Sequence, residues 1–120
     1  MLNSFQHLLN IIIQYTMIET IKKLLGLGPK VKFAELVRQG AMIIDVRSKG
    51  EYAGGHIKGS VNIPVDQIGQ NIQKLKAKNK TIITCCASGM RSASAKSILK
   101  SNGLPEVYNG GSWRSLQSKI

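Results

Sequence analysis

From about residue 30 onward, two patterns of apolar residues alternate along the chain. Some stretches, such as 41–46, are continuous apolar runs, which are typical of a parallel strand buried on both faces. Between these runs apolar residues recur at spacings of three or four, as Ile68, Ile72 and Leu75 do, and this predicts one buried face of a helix. The predicted strands are 41–46, 61–63, 81–85 and 106–108. The predicted helices are one at Phe33 to Val37 ended by Gly40, a short turn at 48–52, one capped by Asp66, and one at 92–101 ended by Gly103.

Strands and helices therefore alternate along the chain. This order predicts an α/β fold with a mostly parallel central sheet and helices on both of its faces. Ligands of such sheets bind beyond the carboxyl ends of the strands. Asp45 and Cys86 both stand at such an end. For Asp45 two interpretations stay open: a hydrogen bond to the backbone of a neighbouring loop, or a structural cap.

The first 18 residues carry no charged side chain and form a separate segment. Its apolar residues at helical spacing include Leu2, Phe5, Leu9 and Ile12. Polar residues interrupt the segment too often for a membrane span, and it lacks the basic start and cleavage site of a signal peptide. Three interpretations remain: a helix on a partner protein, a helix on a membrane surface, which we disfavour, or an extension upstream of a true start at Met17.

Gly26-Leu27-Gly28-Pro29 has the composition of a hinge between two parts of the chain. The predicted organisation is an N-terminal helical extension at 1–28 and one folded domain at 29–120. A chain of 120 residues is long enough to bury the core of a single domain.

The chain is strongly basic, with 17 Lys and Arg against 6 Asp and Glu and a formal net charge of +11. The lysines are spread along the sequence, and no basic stripe is interleaved with aromatic residues, so we predict no nucleic-acid partner. The one dense run comprises Lys74, Lys76, Lys78 and Lys80. Such a run is typical of a solvated helix end, and it would attract small anions or an acidic partner protein.

The only two cysteines, Cys85 and Cys86, are adjacent. Adjacent residues form a disulfide only with strain, so we predict two reduced thiols, which indicates a cytoplasmic setting. Zinc sites need clusters of Cys and His, whereas His7 and His56 are isolated, so we predict no metal site. Cys85 belongs to a predicted strand and is predicted to be a buried core residue. His56 is predicted to order the chain before Ile57 rather than to act as a base.

Cys86 has a different setting, because a small-residue loop, an arginine and a helix start follow it at once. Gly89 lets the backbone curl so that its N–H groups face inward, and the first turn of a helix adds unpaired N–H donors. A thiol in this position loses its proton more readily than an ordinary cysteine, because the thiolate is the form that the donors stabilise. The same donors would hold an anionic substrate.

The loop Cys86-Ala87-Ser88-Gly89-Met90-Arg91-Ser92 resembles the active-site loop of rhodanese-domain sulfurtransferases, Cys-x-x-Gly-x-Arg-Ser. Further blocks that resemble this family, in the same order and spacing, are Ile43–Arg47, Glu51-Tyr52, Gly55–Pro64, Gly103, Val107–Gly111 and Trp113. The resemblance runs from about Val31 to Trp113. Trp113 follows Gly111 sooner than is common in the family, and Ser60 stands where alanine is frequent. Neither difference touches the loop.

The resemblance implies a rhodanese-like fold and a sulfurtransferase activity. Cys86 would take the outer sulfur of a small anionic donor, thiosulfate or a persulfide, and pass it to a thiophilic acceptor, cyanide in an assay or a cellular thiol. The residues implied to bind the substrate are Ala87, Ser88, Gly89, Met90, Arg91 and Ser92. Arg91 would add charge and stiffen the loop. The resemblance implies no metal ion and no organic cofactor.

Two other functions stay open. Counted from Cys85, the segment reads Cys-x5-Arg-Ser, which is the spacing of cysteine-dependent phosphatases and arsenate reductases. Against this interpretation, no histidine precedes Cys85, and Met90 stands before Arg91 where that signature has glycine. The third interpretation is a non-enzymatic persulfide carrier that uses the same loop.

Overall fold

A computed structural model describes residues 3–25 and 30–120 of the chain. The chain divides into two compact units, one ending at Val31 and one covering Lys32–Ile120. The predicted hinge at 26–29 and the apolar residue Leu2 lie outside the described residues. The proposed boundary between an extension at 1–28 and a domain at 29–120 therefore stays a prediction.

The N-terminal unit contains one long helix, α1, at Ser4–Leu24. Apolar side chains surround this helix rather than forming one stripe. Ile11, Ile12 and Ile13 are consecutive and all at least half exposed, and consecutive helical residues point about 100° apart. Among the helices of the described residues, none combines the length and the apolar content needed to cross a bilayer.

The second unit is built on a four-stranded sheet whose strands all run parallel. The strands are β1 at Met42–Asp45, β2 at Val61–Asn62, β3 at Ile82–Cys86 and β4 at Val107–Ser112. Their order across the sheet is β2-β1-β3-β4. In the register, Asp45 of β1 lies opposite Cys85 of β3, and Ile82 of β3 lies opposite Val107 of β4. The carboxyl ends of all four strands therefore meet at one edge.

Five helices of the second unit connect or flank these strands. They are α2 at Phe33–Arg38, α3 at Lys49–Ala53, α4 at Ile72–Lys78, α5 at Met90–Ser101 and α6 at Trp113–Ser118. A 3-10 helix at Val65–Asn71 leads directly into α4. Ser48 caps α3 through a capping box with Glu51, in which each side chain bonds the backbone N–H of the other.

Two apolar clusters lie on opposite faces of the sheet, because neighbouring residues of a strand point to opposite sides. One cluster joins the sheet to α4, α5 and the 3-10 helix, and its members include Ile44, Ile68, Leu75, Ile82, Cys86, Ala95 and Leu99. The other joins the sheet to α2 and α6, and its members include Phe33, Leu36, Ile43, Ile57, Ile83, Cys85 and Leu116. The predicted α/β fold with helices on both faces is confirmed.

Several local predictions need correction. Asp66 does not cap a helix: the chain enters the 3-10 helix directly after Pro64, and α4 begins only after Asn71, without a side-chain cap. The third strand continues through Cys86, one residue further than predicted, and α5 starts at Met90 rather than at residue 92. The fourth strand runs on to Ser112 instead of ending at residue 108, because Ser112 pairs with Cys86 of β3 after a register shift that follows the pair of Asn109 and Thr84.

Candidate active site

The candidate site lies where β3 meets α5, at the carboxyl edge of the sheet. β3 ends at Cys86, and only Ala87, Ser88 and Gly89 separate it from the first residue of α5. Gly89 has a φ of +102°, a conformation that favours glycine, and a Cβ there would lie 3.4 Å from the Cα of Gly111 on β4. Glycine therefore allows the loop to turn tightly over the end of β3 and to approach β4.

This turn directs three hydrogen-bonding groups at the sulfur of Cys86. The backbone N–H of Gly89 donates to Sγ at 2.9 Å and that of Ser92 at 3.4 Å, while the Ser92 hydroxyl oxygen lies 3.4 Å from Sγ. Burial is the largest single influence on the pKa of Cys86 and acts to raise it. Hydrogen bonds from the Ser92 side chain and from the backbone of Ser92, Gly89 and Ser88 together outweigh burial, so this pKa is lowered. Because the thiolate rather than the thiol is the nucleophilic form of cysteine, a lowered pKa makes more of that form available at Cys86.

The seven residues that the sequence singled out thus lie in one turn, but they contribute in different ways. Gly89 and Ser88 act through their backbone N–H groups, and Ser92 acts through its backbone and its buried side chain. The side chains of Ala87 and Met90 are exposed, and that of Met90 is 79% exposed. Cys86 itself is buried. The sulfur therefore lies just beneath an exposed loop.

Cys85 has the opposite environment, although it is the next residue in the chain. Its side chain is buried in the apolar cluster that also contains Ile43, Ile83 and Leu116, on the other face of the sheet. Burial, and next the negative charge of Asp45, raise the pKa of Cys85 to about 12. The prediction that Cys85 is a buried core residue is confirmed. A phosphatase-type loop centred on Cys85 does not fit this placement, because the described N–H donors face Cys86.

Arg91 forms an ion pair with Glu51 of α3 rather than a hydrogen bond to the sulfur. Its two terminal nitrogens lie 2.8 and 3.0 Å from the two carboxylate oxygens of Glu51. This bidentate contact is the main reason why the pKa of Arg91 is raised and that of Glu51 is lowered to about 2. Glu51 also belongs to the capping box of α3, so Arg91 ties the first turn of α5 to the first turn of α3.

Asp45 is held by a buried ion pair with Arg47. Its carboxylate accepts hydrogen bonds from the backbone N–H, Nε and a terminal nitrogen of Arg47 at 2.8 to 3.1 Å. The Arg47 guanidinium also donates to the carbonyl of Gly55 at 2.6 Å and lies 4.7 Å from the centre of the Trp113 ring. Of the two interpretations left open for Asp45, these contacts support the structural one.

Asn109 of β4 is a site residue that the analysis of the sequence missed. Its Oδ1 accepts a hydrogen bond from the Ser92 hydroxyl at 2.7 Å, and its Nδ2 donates to the carbonyl of Gly89 at 3.2 Å. The only signal in the sequence was its place in the block Val107–Gly111, which indicated the family rather than a role. Thr84 forms a second buried hydrogen bond between the sheet and α5, because its hydroxyl donates to the carbonyl of Ser92 at 2.9 Å.

His56 lies outside this network. Its ring stacks on Tyr52 with centroids 3.7 Å apart, and Nδ1 donates to the carbonyl of Tyr52 at 2.7 Å. This arrangement supports the prediction that His56 orders the chain before Ile57. Within residues 3–25 and 30–120, no group of three or more His, Cys, Asp or Glu side chains is arranged to hold a metal ion.

A family model of the rhodanese-like domain matches residues 30–118, which include every site residue described above. The chain belongs to the rhodanese-like domain family. This membership confirms the resemblance that the loop and its flanking blocks indicated. The strand-to-helix turn that surrounds Cys86 lies entirely inside the matched range.

Individual relatives agree with this assignment. The chain is 39% identical over 69 residues to the uncharacterized protein YqhL of Bacillus subtilis. The aligned region covers 58% of this chain and 54% of YqhL, so this chain spans about half the length of that relative. It is 34% identical over 74 residues to the thiosulfate sulfurtransferase PspE of Escherichia coli, covering 61% of this chain and 71% of PspE. The solved structure of the human single-domain sulfurtransferase TSTD1 superposes with a TM-score of 0.63 at 29% identity, covering 78% and 98% of the two chains. Of these three relatives, PspE and TSTD1 are named as sulfurtransferases.

Proposed function

We propose that this chain is a sulfurtransferase that moves sulfane sulfur through a persulfide on Cys86. One observation carries the proposal: the N–H groups of the loop converge on Sγ of Cys86, with Gly89 N at 2.9 Å. Backbone donors fixed in this way stabilise negative charge on sulfur without reorganisation. The names of PspE and TSTD1 support the same reaction class.

In the first half of the reaction, the Cys86 thiolate attacks the outer sulfur of thiosulfate. A new S–S bond forms at Cys86, the S–S bond of thiosulfate breaks, and sulfite leaves with the bonding electron pair. Negative charge then rests on the outer sulfur of the persulfide, within reach of the N–H groups of the loop.

In the second half, a thiophilic acceptor attacks the outer sulfur. Cyanide would leave as thiocyanate, and a thiolate would leave as a new persulfide, while the electron pair of the broken S–S bond returns to Cys86. The donors that lower the pKa of Cys86 also make it a good leaving group. The reaction needs no electron carrier, because sulfur is transferred between two nucleophiles and the starting thiolate is regenerated.

The proposal extends to partners and to the compartment. The net charge of +11 favours small anionic sulfur donors, and the exposed lysines of α4 would favour an acidic partner protein as acceptor. Both cysteines are free thiols, and the reaction requires Cys86 to be reduced at the start of each cycle. We therefore place the reaction in a reducing compartment such as the cytoplasm.

Intact-protein mass spectrometry after incubation with thiosulfate tests the proposal. The wild-type chain should gain one sulfur atom, and cyanide should remove it with release of thiocyanate. Cys86→Ser should gain no sulfur, because a hydroxyl forms no labile persulfide. Cys85→Ser, the matched control one residue away, should load and turn over at close to the wild-type rate.

Each other result has a distinct meaning. Loading that depends on Cys85 would contradict the assignment of the nucleophile. Loading on Cys86 without turnover by cyanide or small thiols would indicate a persulfide carrier rather than an enzyme. An unmodified wild-type chain would refute the proposal.

A further inference from the structure

Asn109 joins the loop to the sheet beside Cys86. Its Oδ1 accepts from the Ser92 hydroxyl at 2.7 Å and from the backbone N–H of Gly111 at 2.9 Å, while its Nδ2 donates to the carbonyl of Gly89 at 3.2 Å. A backbone N–H only donates and a backbone carbonyl only accepts, so Gly111 and Gly89 together fix the orientation of the amide. The group that meets Ser92 is therefore the carbonyl oxygen of Asn109, which is an acceptor.

The Ser92 hydroxyl has a single proton and three neighbours that can accept it. These are Asn109 Oδ1 at 2.7 Å, the carbonyl oxygen of Gly89 at 3.0 Å and, when it is ionised, Cys86 Sγ at 3.4 Å. With a neutral thiol there is no conflict, because the thiol donates to Ser92 Oγ and the hydroxyl donates to Asn109. Once Cys86 loses its proton, the thiolate and Asn109 compete for the same hydroxyl proton.

We propose that Asn109 is a positioning residue that competes with Cys86 Sγ for the Ser92 hydroxyl proton and so limits how readily Cys86 ionises. The inference rests on the proposed function, in which the Cys86 thiolate is first the nucleophile and later the leaving group. Two of the three groups around Sγ are backbone N–H donors with fixed directions. Only the hydroxyl can rotate toward or away from the sulfur, so the residue that orients it controls the adjustable part of the site.

Other titratable groups lie near Cys86, and none of them is altered in the variants that test the proposal. Cys85 precedes it on β3, and Arg91 of α5 lies close enough to interact with its charge but is paired with Glu51 of α3. Asp45 of β1 is paired with Arg47. The helices and 3-10 helix packed against the Cys86 side of β3 contribute apolar side chains such as Ile68 and Leu99 to the cluster that contains Cys86.

The test measures the rate of alkylation of the chain by iodoacetamide as a function of pH, with mass spectrometry confirming a single label. Cys85 does not interfere below about pH 10, because its pKa is raised to about 12. Asn109→Leu should lower the apparent pKa of Cys86 by about one unit, since the released hydroxyl then donates to a charged acceptor. Ser92→Ala should raise it. In the Ser92→Ala background, Asn109→Leu should produce little further shift.

This double-mutant comparison separates positioning from simple packing. A structural role alone would change the unfolding temperature of both single variants but would not make the shift caused by Asn109→Leu depend on Ser92. Asn102→Leu is a matched control, because Asn102 also bonds a backbone carbonyl, that of Ile98, but stands at the far end of α5. It should leave the pKa of Cys86 unchanged.

The inference is overturned if Asn109→Leu leaves the pKa of Cys86 unchanged or raises it, or if the shift is the same with and without Ser92. Should the leucine variant not fold, Asn109→Ala makes the same test, because alanine also removes the oxygen that competes for the Ser92 hydroxyl proton and should also lower the pKa. Alkylation requires no sulfur donor. A chain that shows the predicted shifts but acquires no sulfur from thiosulfate would therefore contradict the proposed function and leave the role of Asn109 standing.

Discussion

The two faces of β3 give neighbouring thiols opposite chemistry. Cys86 faces the N–H groups of Gly89 and Ser92, and its pKa is lowered, whereas Cys85 faces apolar side chains and Asp45, and its pKa is raised to about 12. Cys86 is the last residue of β3 and Cys85 is the one before it, so their positions along the strand are nearly the same. The pKa values of the two thiols shift in opposite directions because consecutive side chains of a strand point to opposite sides of the sheet.

The ion pairs beside the two thiols differ in the same way. Asp45 and Arg47, on the Cys85 side, are almost fully buried, with 0% and 6% of their side chains exposed. Arg91 and Glu51, beside the loop, have 39% and 38% of their side chains exposed. A buried pair that loses one partner leaves an uncompensated charge, whereas an exposed pair is replaced by water. Loss of the buried Asp45–Arg47 pair should therefore mainly reduce the stability of the fold. Loss of the exposed Arg91–Glu51 pair should mainly reduce activity.

The largest effect is expected from Arg47→Ala, which leaves the carboxylate of Asp45 buried without its partner. The free energy of unfolding should fall by about 3 to 5 kcal/mol. Chemical denaturation followed by circular dichroism measures this loss. Arg38→Ala is the control, because Arg38 pairs with Glu35 at an exposed position, and it should cost less than about 1 kcal/mol. Equal stability of the two variants would show that the buried pair does not support the fold.

A smaller loss of stability, with a clear loss of activity, is expected from Gly89→Ala. Alanine is strained at a φ of +102°, which should cost about 1 to 2 kcal/mol, and relief of this strain should turn the N–H of residue 89 away from Sγ. Sulfur transfer should fall by about tenfold, as expected for one lost hydrogen bond to a charged group. Thiocyanate formation and thermal unfolding measure the two effects.

Gly40→Ala provides the control for this variant. Gly40, which follows the C-cap residue of α2, has a similar φ of +98°. A Cβ at this position would have no atom within 4 Å. It should show a similar loss of stability with unchanged sulfur transfer. If the two variants lose activity equally, strain in the fold rather than the direction of the Gly89 N–H explains the effect.

The smallest effect is expected from Arg91. Arg91→Ala should reduce the rate of sulfur transfer by about three- to tenfold, because the first turn of α5 loses its tie to α3, while stability should change by less than about 1 kcal/mol. Arg91→Lys should recover only part of the rate, since lysine cannot contact both carboxylate oxygens in a planar fork. Steady-state rates with thiosulfate and cyanide are the measurement.

The pH dependence of this effect follows from Glu51. Its pKa is lowered from 4.5 to about 2, so the pair is formed above about 4.5 and is lost as the pH falls through about 2. The difference between wild type and Arg91→Ala should therefore stay constant at neutral pH. Wild-type rates in Arg91→Ala would show that the loop does not need this tie.

The parts of the fold that the sequence predicted are those carried by local patterns. Apolar runs indicated the strands, and the spacing of Ile68, Ile72 and Leu75 indicated a buried helical face, because burial leaves a period in the sequence. The prediction of a cap at Asp66 failed. Pro64 precedes it with extended backbone, and the chain then makes a 3-10 helix that needs no side-chain cap. Nothing in the periodicity distinguishes a 3-10 helix from the first turn of an α-helix.

The candidate site shows the same division. The position of Cys86 before a glycine-containing turn was visible in the sequence, because a local loop creates the N–H donors. The partners of Arg91 and Ser92 were not visible, because Glu51 lies 40 residues and Asn109 lies 17 residues away. Contact between Asn109 and Ser92 depends on the register of β4, which places Asn109 opposite Thr84 of β3. Pairing between strands that are distant in the sequence leaves no local pattern.

The alternation of side chains along β3 would also protect the proposed Cys86 persulfide from a side reaction. A thiol beside a persulfide would ordinarily attack it, form a disulfide and release the sulfur as hydrogen sulfide. Cys85 is the nearest thiol in the sequence, yet its sulfur lies across the sheet from that of Cys86 and keeps its proton at neutral pH. The backbone of the strand thus separates the two sulfurs, and in the proposed reaction sulfur carried by Cys86 would pass to an acceptor from solvent rather than to Cys85.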